Sequence, residues 1–365
     1  MHPSDCPVTS LDVSAYTVPT DAPEADGTFA WDKTTLVLVE VKAGNETGLG
    51  YTYTDAAACL VIQETLAETV KGRDAFDIPG AWMAMNHAIR NLGRPGVCST
   101  AIAAVDNALW DLKARLLGLP LASLLGQARD GVPVYGSGGF TSYSKEQLQS
   151  QLGGWAAQGI PRVKMKVGTH PDKDLERVRW AREAIGPDVQ LFVDANGAYS
   201  RKQALQFAEE YRALGVSWFE EPRPSDDLAG LHLLRDRGPA GMDIAAGEYG
   251  YSLLYFRRML DAEAVDVLQA DASRCAGVTG FLGVDALCHA HQTPLSAHCA
   301  PSLHVAPGCA ALSFRHLEYF HDHARIEQML FDGTLLPKNG VLYPDLSRPG
   351  MGLEFKRADA EKYRV

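Results

Sequence analysis

Ionisable residues close a series of short apolar runs in the second part of the chain, and they are 20 to 28 residues apart. If each run is a strand of a parallel barrel, all the strand ends meet at one mouth, where barrel enzymes keep their active sites. Charges gathered there are costly unless they are paired or bind a metal. The spacing therefore indicates an active site made of Lys164, Lys166, Asp194, Glu220, Glu248, Asp271, His298 and Glu318.

Three of these carboxylates form a candidate metal site. Asp194, Glu220 and Glu248 supply hard oxygen ligands, the set that suits Mg²⁺, and they leave further octahedral positions for water and substrate. Without a balancing positive charge, the three carboxylates would repel one another and be driven to protonate. The pattern therefore predicts Mg²⁺ as the cofactor.

Two groups of residues could supply bases at this mouth. Lys164 and Lys166 lie two apart on one predicted strand and point to the same side, so like-charge repulsion is expected to lower the pKa of each. A lysine tuned in this way can act as a base near neutral pH. Asp271 could hold the imidazole of His298 and fix its tautomer, which would make a second base. Glu318, if protonated, could donate a hydrogen bond to the reacting substrate.

Two bases beside one metal ion suit removal of the proton next to a carboxylate. That proton is weakly acidic, so its loss requires strong stabilisation of the enediolate, which a metal supplies as a Lewis acid. If a hydroxyl sits on the β-carbon, it can leave as water, which makes dehydration of an acid sugar to a 2-keto-3-deoxy acid the favoured reaction. The alternative is a racemase or epimerase of a 2-hydroxy acid. A non-catalytic barrel that only binds its ligand is disfavoured, because it has no reason to keep so many charges together.

Other residues allow two interpretations each. Asn196 is either a turn residue or a neighbour of the metal ligands, Glu221 is either a surface residue before a proline or a partner of the ligands, and Arg274 is either a loop salt bridge or a substrate contact. Four aromatic residues of the N-terminal part are either core or pocket lining: Phe29, Trp31, Tyr51 and Tyr53. The histidines assigned to packing or solvent are His289, His291, His304, His321 and His323.

The elements that must position these residues follow from the apolar patterns. Eight strands, each followed by a helical segment, predict a (β/α)₈ barrel over residues 129–340. Two β-branched strands and a helix predict an N-terminal α+β capping domain over residues 1–128, and residues 341–365 are expected to return to it. The strands expected in the cap are Leu11–Val18 and Thr34–Val41, its clearest helix is Ile102–Leu117, and the barrel strands are Val132–Gly136, Val163–Val167, Gln190–Asp194, Val216–Glu220, Asp243–Glu248, Ala264–Asp271, Pro294–His298 and Arg315–Tyr319.

At these residues the sequence resembles the enolase superfamily, in its mandelate racemase subgroup, over nearly the entire chain. Each motif is short, but their order and spacing make the resemblance specific. One departure is Ala276, where a second glycine often precedes Gly277. The motifs are VKMKVG (Val163–Gly168), VDANGAYS (Val193–Ser200), WFEEP (Trp218–Pro222), AAGE (Ala245–Glu248), QADASRCAGVTG (Gln269–Gly280), LSAH (Leu295–His298) and HLEY (His316–Tyr319).

The resemblance implies roles for the residues already named. Lys166, with Lys164 beside it, would be one base, and the Asp271–His298 dyad would be the other. Glu318 would contact the substrate carboxylate. The three carboxylates of the candidate site would bind Mg²⁺. The capping domain would shape the pocket with loops near Val18–Trp31 and Gly50–Thr54, and the protein would be a homo-oligomer, as is typical of the family.

Composition disfavours several other kinds of partner. The 34 Lys and Arg residues against 45 Asp and Glu residues leave a net charge of −11, which disfavours nucleic acid and anionic membrane surfaces. No uncharged apolar run approaches the roughly 20 residues of a membrane span, and residues 1–10 lack the basic and apolar regions of a leader. The seven scattered cysteines predict neither a disulfide framework nor a zinc site. A cytoplasmic enzyme acting on a small carboxylate is expected.

Overall fold

The computed structural model describes residues 6–365. Residues 1–5 lie outside it, and they are half of the segment 1–10 in which no leader was expected. The chain begins with an antiparallel sheet of order β1-β2-β3, which is followed by short helices and one long helix. A π-helical turn (Ile62–Leu66) joins the first two helices. These capping elements are β1 (Val8–Ala25), β2 (Ala30–Ala43), β3 (Glu46–Tyr53), α1 (Ala58–Val61), α2 (Ala67–Val70), α3 (Ile78–Ala88), α4 (Val97–Leu116) and α5 (Leu121–Leu125).

Strand β2 is buried on both faces, and this joins the cap to the barrel. Val37 and Val39 pack in one apolar cluster with the cap helices, whereas Leu36 and Leu38 pack in the cluster that contains the barrel strands. Successive side chains of a strand point to opposite faces, so one run of apolar residues serves both cores. Strand β3 approaches α4 so closely that a Cβ at Gly50 would lie 2.3 Å from the carbonyl oxygen of Ala104.

The predicted cap strands are present, but β1 and β2 are longer than expected. They extend as a hairpin arm, with a register irregularity between Pro19 and Glu24. The segment Val18–Trp31, expected to be a loop, is therefore mostly strand, and most of Gly50–Thr54 belongs to the end of β3. That expectation was wrong because β1 pairs with β2 again at Glu24 and Ala25, beyond the irregularity, and β3 pairs with β2 as far as Tyr53.

Eight parallel strands close into a barrel, because β11 pairs with β4 as well as with β10. The predicted barrel with its N-terminal cap is confirmed. The strands are β4 (Val132–Gly138), β5 (Arg162–Lys166), β6 (Gln190–Asp194), β7 (Val216–Glu220), β8 (Asp243–Ala246), β9 (Val267–Ala270), β10 (Leu295–Ala297) and β11 (Phe314–Phe320). The helices that follow them are α6 (Lys145–Ala157), α7 (Pro171–Ile185), α8 (Arg201–Ala213), α9 (Leu228–Arg237), α10 (Leu253–Asp261), α11 (Gly277–His291), α12 (Pro301–Ala310) and α13 (His321–Leu330).

The C-terminal segment contacts both parts of the molecule. It contains β13 (Val341–Leu342), which pairs with β4, and β14 (Glu354–Phe355), which pairs with β12 (Phe331–Asp332) directly after α13. It ends with α14 (Arg357–Ala360) and a 3₁₀ turn (Glu361–Tyr363). The Met351 amide donates to the buried carboxylate of Asp111 on α4 over 2.6 Å, and the Val365 amide donates to Ala15 of β1 over 3.1 Å. Within residues 6–365, no helix has the length and apolar character needed to cross a membrane.

Helix α4 also holds the first turn of α11, which follows the loop after β9. Asp106 accepts hydrogen bonds from the amide and the hydroxyl of Thr279, over 2.9 and 2.7 Å. Asn107 accepts from the Val278 amide over 3.0 Å. In the same loop, Ala276 has a φ of 65°, a left-handed conformation that favours glycine. The chain therefore has an alanine where the backbone conformation favours glycine.

Asp106 should make stability depend on pH. Burial raises the pKa of this carboxyl to about 7, whereas an unfolded aspartate has a pKa of about 3.9. Between these values the folded state holds a proton that the unfolded state has released, so stability falls as the pH rises. Relative to Asp106→Asn, we expect the wild type to lose up to about 4 kcal/mol of unfolding free energy between pH 4 and pH 7.

Urea unfolding at a series of pH values measures this difference. The matched control is Asp188→Asn, because Asp188 is exposed. An Asp106→Asn protein whose stability runs parallel to that of the wild type over this pH range would contradict the prediction.

Candidate active site

The three predicted metal ligands converge at the mouth of the barrel. Asp194 and Glu220 are the last residues of β6 and β7 and are neighbours in the register of the sheet, and Glu248 follows β8 after Gly247. One ligand oxygen from each of the three carboxylates lies within 4.8 Å of the others, and all three side chains are buried. The Oε2 atom of Glu248 is buried without a hydrogen-bond partner. The donor set is made of hard oxygens, which fits a divalent cation such as Mg²⁺.

Two lysines from β5 reach these carboxylates. Lys164 is fully buried and contacts Glu220 directly, and its Nζ lies 2.8 Å from Glu318 and 3.5 Å from Asp194. Lys166, the last residue of β5, contacts Asp194 through its Nζ. Both lysines therefore enter the site from the same strand, as predicted.

The prediction that the pKa values of both lysines are lowered is wrong when only the protein's own groups act on them. Burial and repulsion from Lys164 do lower the pKa of Lys166, but attraction from Asp194, Glu248 and Glu318 outweighs them, and the net shift is upward. The pKa of Lys164 is likewise raised, because the surrounding carboxylates outweigh its burial. Repulsion between two lysines is one interaction among several, and the nearer carboxylates decide the direction.

The carboxylates themselves are affected unequally. Burial and repulsion from Asp194 raise the pKa of Glu220, whereas the attraction of the two lysines overcomes burial and lowers the pKa of Asp194. One of two neighbouring carboxylates is thus driven towards its neutral form, because the charge on Asp194 disfavours a second negative charge beside it.

A histidine and an aspartate form a hydrogen-bonded pair at the mouth. Asp271 directly follows β9 and His298 directly follows β10, and their side chains are joined by a hydrogen bond of 2.9 Å between Nδ1 and Oδ2. The Nε2 atom of His298 lies 3.5 Å from Glu248 and 3.7 Å from Glu318. In the closed barrel, β10 lies three strands from β5 in one direction and five in the other, so His298 and Lys166 lie across the mouth from each other.

The pKa of Glu318 is lowered, in contrast to the raised pKa of the proton donor that was considered from the sequence. Burial raises its pKa, but Lys164 and His298 outweigh burial and hold the pKa well below its usual range. The carboxylate accepts hydrogen bonds from the hydroxyl of Ser137 over 2.5 Å and from the amide of Cys299 over 3.1 Å. Glu318 therefore serves as a hydrogen-bond acceptor in this site and not as a donor.

Three of the residues with two interpretations, Asn196, Glu221 and Arg274, lie close to the carboxylates of the site. Arg274 forms the salt bridge considered for it, since its Nη1 lies 3.6 Å from Glu248 and its Nε lies 3.7 Å from Asp271, and it also lines the central cavity. Asn196 has a φ of 44°, its amide donates to Asp194 over 2.9 Å, and it also lines this cavity. Glu221 is buried, so the surface interpretation is wrong, and burial and the charge of Glu248 raise its pKa.

A cavity of about 590 Å³ lies between the cap and the barrel mouth. Lys166, Glu248, Asn196, Arg274 and His298 line its barrel side. Lys164 and Glu318, which are fully buried, lie outside the lining. The cap supplies the other side through Asp26, Thr28, Phe29, Trp31, Lys33, Thr34, Thr35, Tyr53, Thr54 and Asp55.

Of the four aromatic residues considered, Phe29, Trp31 and Tyr53 line the cavity, whereas Tyr51 is core. His323 is buried and stacks on Tyr53 with ring centroids 3.4 Å apart, as expected of a packing residue, and it also lines the cavity. Burial lowers its pKa to about 3, which keeps its ring neutral.

His304 is buried as expected, and its Nε2 accepts from the Ala272 amide over 2.8 Å, which supports the loop that carries Asp271. His291 lies 3.7 Å from Asp261 at the outer surface, away from the cavity, and His289 is exposed on the same helix.

Comparison with known proteins identifies the family. Residues 12–126 match the family described as "Mandelate racemase / muconate lactonizing enzyme, N-terminal domain". Residues 147–360 match the family described as "Enolase C-terminal domain-like", which covers more than half of the chain. The chain belongs to the mandelate racemase subgroup of the enolase superfamily. It is therefore an enzyme of the lyase or isomerase type that this superfamily contains.

Several known enolase-superfamily proteins match along most of their length. A mandelate racemase/muconate lactonizing enzyme-like protein from Rubrobacter xylanophilus is 59% identical, with a TM-score of 0.97 over 98% of this chain and 100% of that one. The 3,6-anhydro-alpha-L-galactonate cycloisomerase of Streptomyces coelicolor is 33% identical over 88% of this chain and 90% of its own.

The L-talarate/galactarate dehydratase of Salmonella typhimurium is 32% identical over 87% of this chain and 79% of its own. Its crystal structure, liganded with Mg and L-lyxarohydroxamate, superposes with a TM-score of 0.90 and 27% identity over 99% of this chain and 93% of that one.

Within this enolase-superfamily site, sequence reasoning missed several lining residues. Cys299 lies beside the dyad, with its Sγ 3.2 Å from Nε2 of His298, and Phe320, His323 and Tyr249 complete the wall. Cys299 directly follows His298, and Phe320 is the last residue of β11. These positions at strand ends are the one signal that could have found them. Lys33 and Asp55 of the cap carry no comparable signal.

Proposed function

We propose that this enzyme uses Mg²⁺ and two opposed bases to remove the proton α to the carboxylate of an acid sugar, and that it then expels the β-hydroxyl as water. The observation that carries the proposal is the placement of Lys166 and of the Asp271–His298 dyad across one cavity from each other, beside a buried set of three carboxylates. The product would be a 2-keto-3-deoxy acid.

The residues present fit a magnesium ion. Asp194, Glu220 and Glu248 would hold it, and a bound Mg²⁺ would supply Lewis-acid stabilisation of the negative charge that develops on the substrate carboxylate. Without the ion, carboxylates outnumber cations at this site, and burial together with repulsion from Asp194 raises the pKa of Glu220. Neutralising these carboxylates would also weaken the attraction that raises the pKa of Lys166, which would favour its action as a base.

The protein side chains would move the protons. The neutral amine of Lys166 would take the α-proton, while the imidazolium of His298 would give a proton from Nε2 to the leaving hydroxyl. Asp271 holds Nδ1 at 2.9 Å and so aims Nε2 into the cavity. The C–H and C–O bonds break, water leaves, and the resulting enol tautomerises to the keto acid. Lys164 and Arg274 would balance the charge around the carboxylates.

The cavity suits a polyhydroxylated acid. Its walls offer hydroxyl groups from Thr28 and Thr35, a carboxylate from Asp55 and a cation from Lys33, and its aromatic residues offer flat apolar faces. A volume of about 590 Å³ accommodates a six-carbon acid with water to spare. Similarity to the L-talarate/galactarate dehydratase supports this substrate class.

Isomerisation is the second candidate function. Two bases on opposite sides of the α-carbon allow a proton to be removed on one face and returned on the other, which gives a racemase or epimerase. Similarity to the 3,6-anhydro-alpha-L-galactonate cycloisomerase also favours an isomerase over a lyase. The two candidates share proton abstraction and differ only in the fate of the enediolate, which either loses the β-hydroxyl or regains a proton.

Exchange of the α-proton tests the proposal. The enzyme is incubated with Mg²⁺ and a panel of aldonic and aldaric acids in D₂O, and the loss of the α-proton signal is followed by NMR. We expect exchange together with formation of a 2-keto acid, detected as its semicarbazone. Exchange with inversion and no keto acid would instead support the isomerase. Acids that bind, as judged by a thermal shift, but show neither exchange nor product would identify a binding protein and refute the proposal.

A further inference from the structure

A second group of metal-ligating side chains lies outside the catalytic cavity, where the hairpin arm of the cap meets the barrel. Asp21 and Glu24 belong to β1 of the cap, and His321 is the first residue of α13, directly after β11. One ligand atom from each of the three residues lies within 4.8 Å of the others. The group therefore bridges two parts of the fold that are remote in sequence.

Two of the three side chains are accessible to solvent, and the third is buried. The Nε2 atom of His321 lies 2.9 Å from Oδ2 and 3.1 Å from Oδ1 of Asp21, and both side chains are partly exposed. They line an open depression of about 530 Å³, together with Tyr143 and Gln151 of the barrel. An ion could reach the group from solvent through this depression.

Glu24 lies at the inner side of the group and is only 1% exposed. Its Oε2 accepts a hydrogen bond from Nε1 of Trp31 over 2.8 Å, but its Oε1 is buried and has no hydrogen-bond partner. A buried carboxylate oxygen without a partner costs free energy unless a proton or a cation satisfies it. Arg325 of α13, a cation whose charge acts on Glu24, is bound to Asp322 over 2.6 Å and to the carbonyl oxygen of Pro19 over 2.7 Å.

We propose that Asp21, Glu24 and His321 form a second divalent-cation site that is separate from the catalytic carboxylates. One imidazole and two carboxylates form a ligand set that favours a transition metal such as Zn²⁺ over Mg²⁺, which prefers oxygen donors only. Three protein ligands leave a fourth tetrahedral position for water from the open side.

Such an ion would fix the capping arm on the barrel beside the catalytic cavity. Trp31, the hydrogen-bond partner of Glu24, lines that cavity and packs edge-on against Phe140 with ring centroids 5.6 Å apart. His321 directly follows Phe320, which also lines the cavity. Binding of the ion would therefore hold two walls of the cavity together without contacting the substrate.

Metal counting in the full-length protein tests the site. The protein is equilibrated with Zn²⁺ in a large excess of Mg²⁺, passed through a desalting column and measured by mass spectrometry of its metals. We expect the wild type to bind one more equivalent of Zn²⁺ than either His321→Ala or Glu24→Gln. We also expect Zn²⁺, at about 100-fold its dissociation constant, to raise the thermal midpoint of the wild type by several degrees, and that of the two variants by less.

Two controls separate this site from its alternatives. His291→Ala removes a partly exposed histidine that also faces one aspartate, Asp261 at 3.7 Å, and this variant should bind as much Zn²⁺ as the wild type. Glu248→Gln, altered in the catalytic set, should keep the additional equivalent. Equal zinc contents in the wild type, His321→Ala and Glu24→Gln would overturn the proposal, and it would mean that Glu24 is satisfied by a proton instead.

Discussion

Replacing Lys166 by methionine should lower kcat roughly a hundredfold to ten-thousandfold, the range typical of a lost general base. Methionine keeps much of the length and apolar stem of lysine but cannot accept the α-proton. Lys164 cannot take over this role, because it is fully buried, contacts Glu220 and lies 2.8 Å from Glu318. Steady-state kinetics on the best acid from the panel measures the loss, and far-ultraviolet circular dichroism checks the fold.

Replacing each of the two bases should also abolish exchange for a different configuration of the α-carbon. If Lys166 and His298 serve opposite faces of the α-carbon, Lys166→Met should abolish α-exchange for one configuration at that carbon, and His298→Asn should abolish it for the other. Lys202→Met, at an exposed position of α8, is the matched control and should behave as the wild type. A Lys166→Met enzyme with wild-type kcat, or two base variants that lose the same configuration, would rule out the opposed arrangement.

Removing the metal should abolish turnover altogether. Treatment with EDTA followed by desalting should leave no measurable activity, and added Mg²⁺ should restore it, because no side chain replaces the charge stabilisation supplied by the ion. Glu248→Gln should weaken Mg²⁺ binding at least about tenfold to a hundredfold, since even residues that only support metal ligands have effects of this size. Isothermal titration with Mg²⁺ measures the affinity directly.

Glu248 is the most informative ligand to replace. Its Oε2 has no hydrogen-bond partner, whereas Glu220 is bound by Lys164 and accepts from Nε1 of Trp218 over 2.9 Å. A change at Glu248 therefore breaks no hydrogen bond at Oε2, although it removes a charge 3.5 Å from His298 and 3.6 Å from Arg274, so Mg²⁺ affinity and not activity alone is the decisive measurement. Glu209→Gln, exposed on α8, is the matched control. Activity that survives EDTA, or unchanged Mg²⁺ affinity in Glu248→Gln, would exclude the proposed metal site.

The amino-acid sequence by itself determined the barrel and the residues at its mouth. Apolar runs and the polar residues that end them are local features, and they predicted β6 and β7 with the observed bounds, ending at Asp194 and Glu220. The strands before Glu248, Asp271 and His298 end one or two residues earlier than predicted, yet these side chains still reach the mouth. Parallel strands in a closed barrel bring successive strand ends together, so the order of the runs was enough to group the residues.

Only the tertiary structure decided the charge states and the capping wall. The pKa of a lysine depends on which carboxylates lie within a few ångströms of it, and attraction from Asp194 and its neighbours outweighs the repulsion from Lys164 that the sequence suggested. Lys33, Asp55 and His323 meet at one cavity, although they come from separate segments that carry no catalytic pattern. The spacing of residues along the chain predicts strands and helices. The pKa values and the walls of the cavity depend instead on contacts between residues that are far apart in sequence.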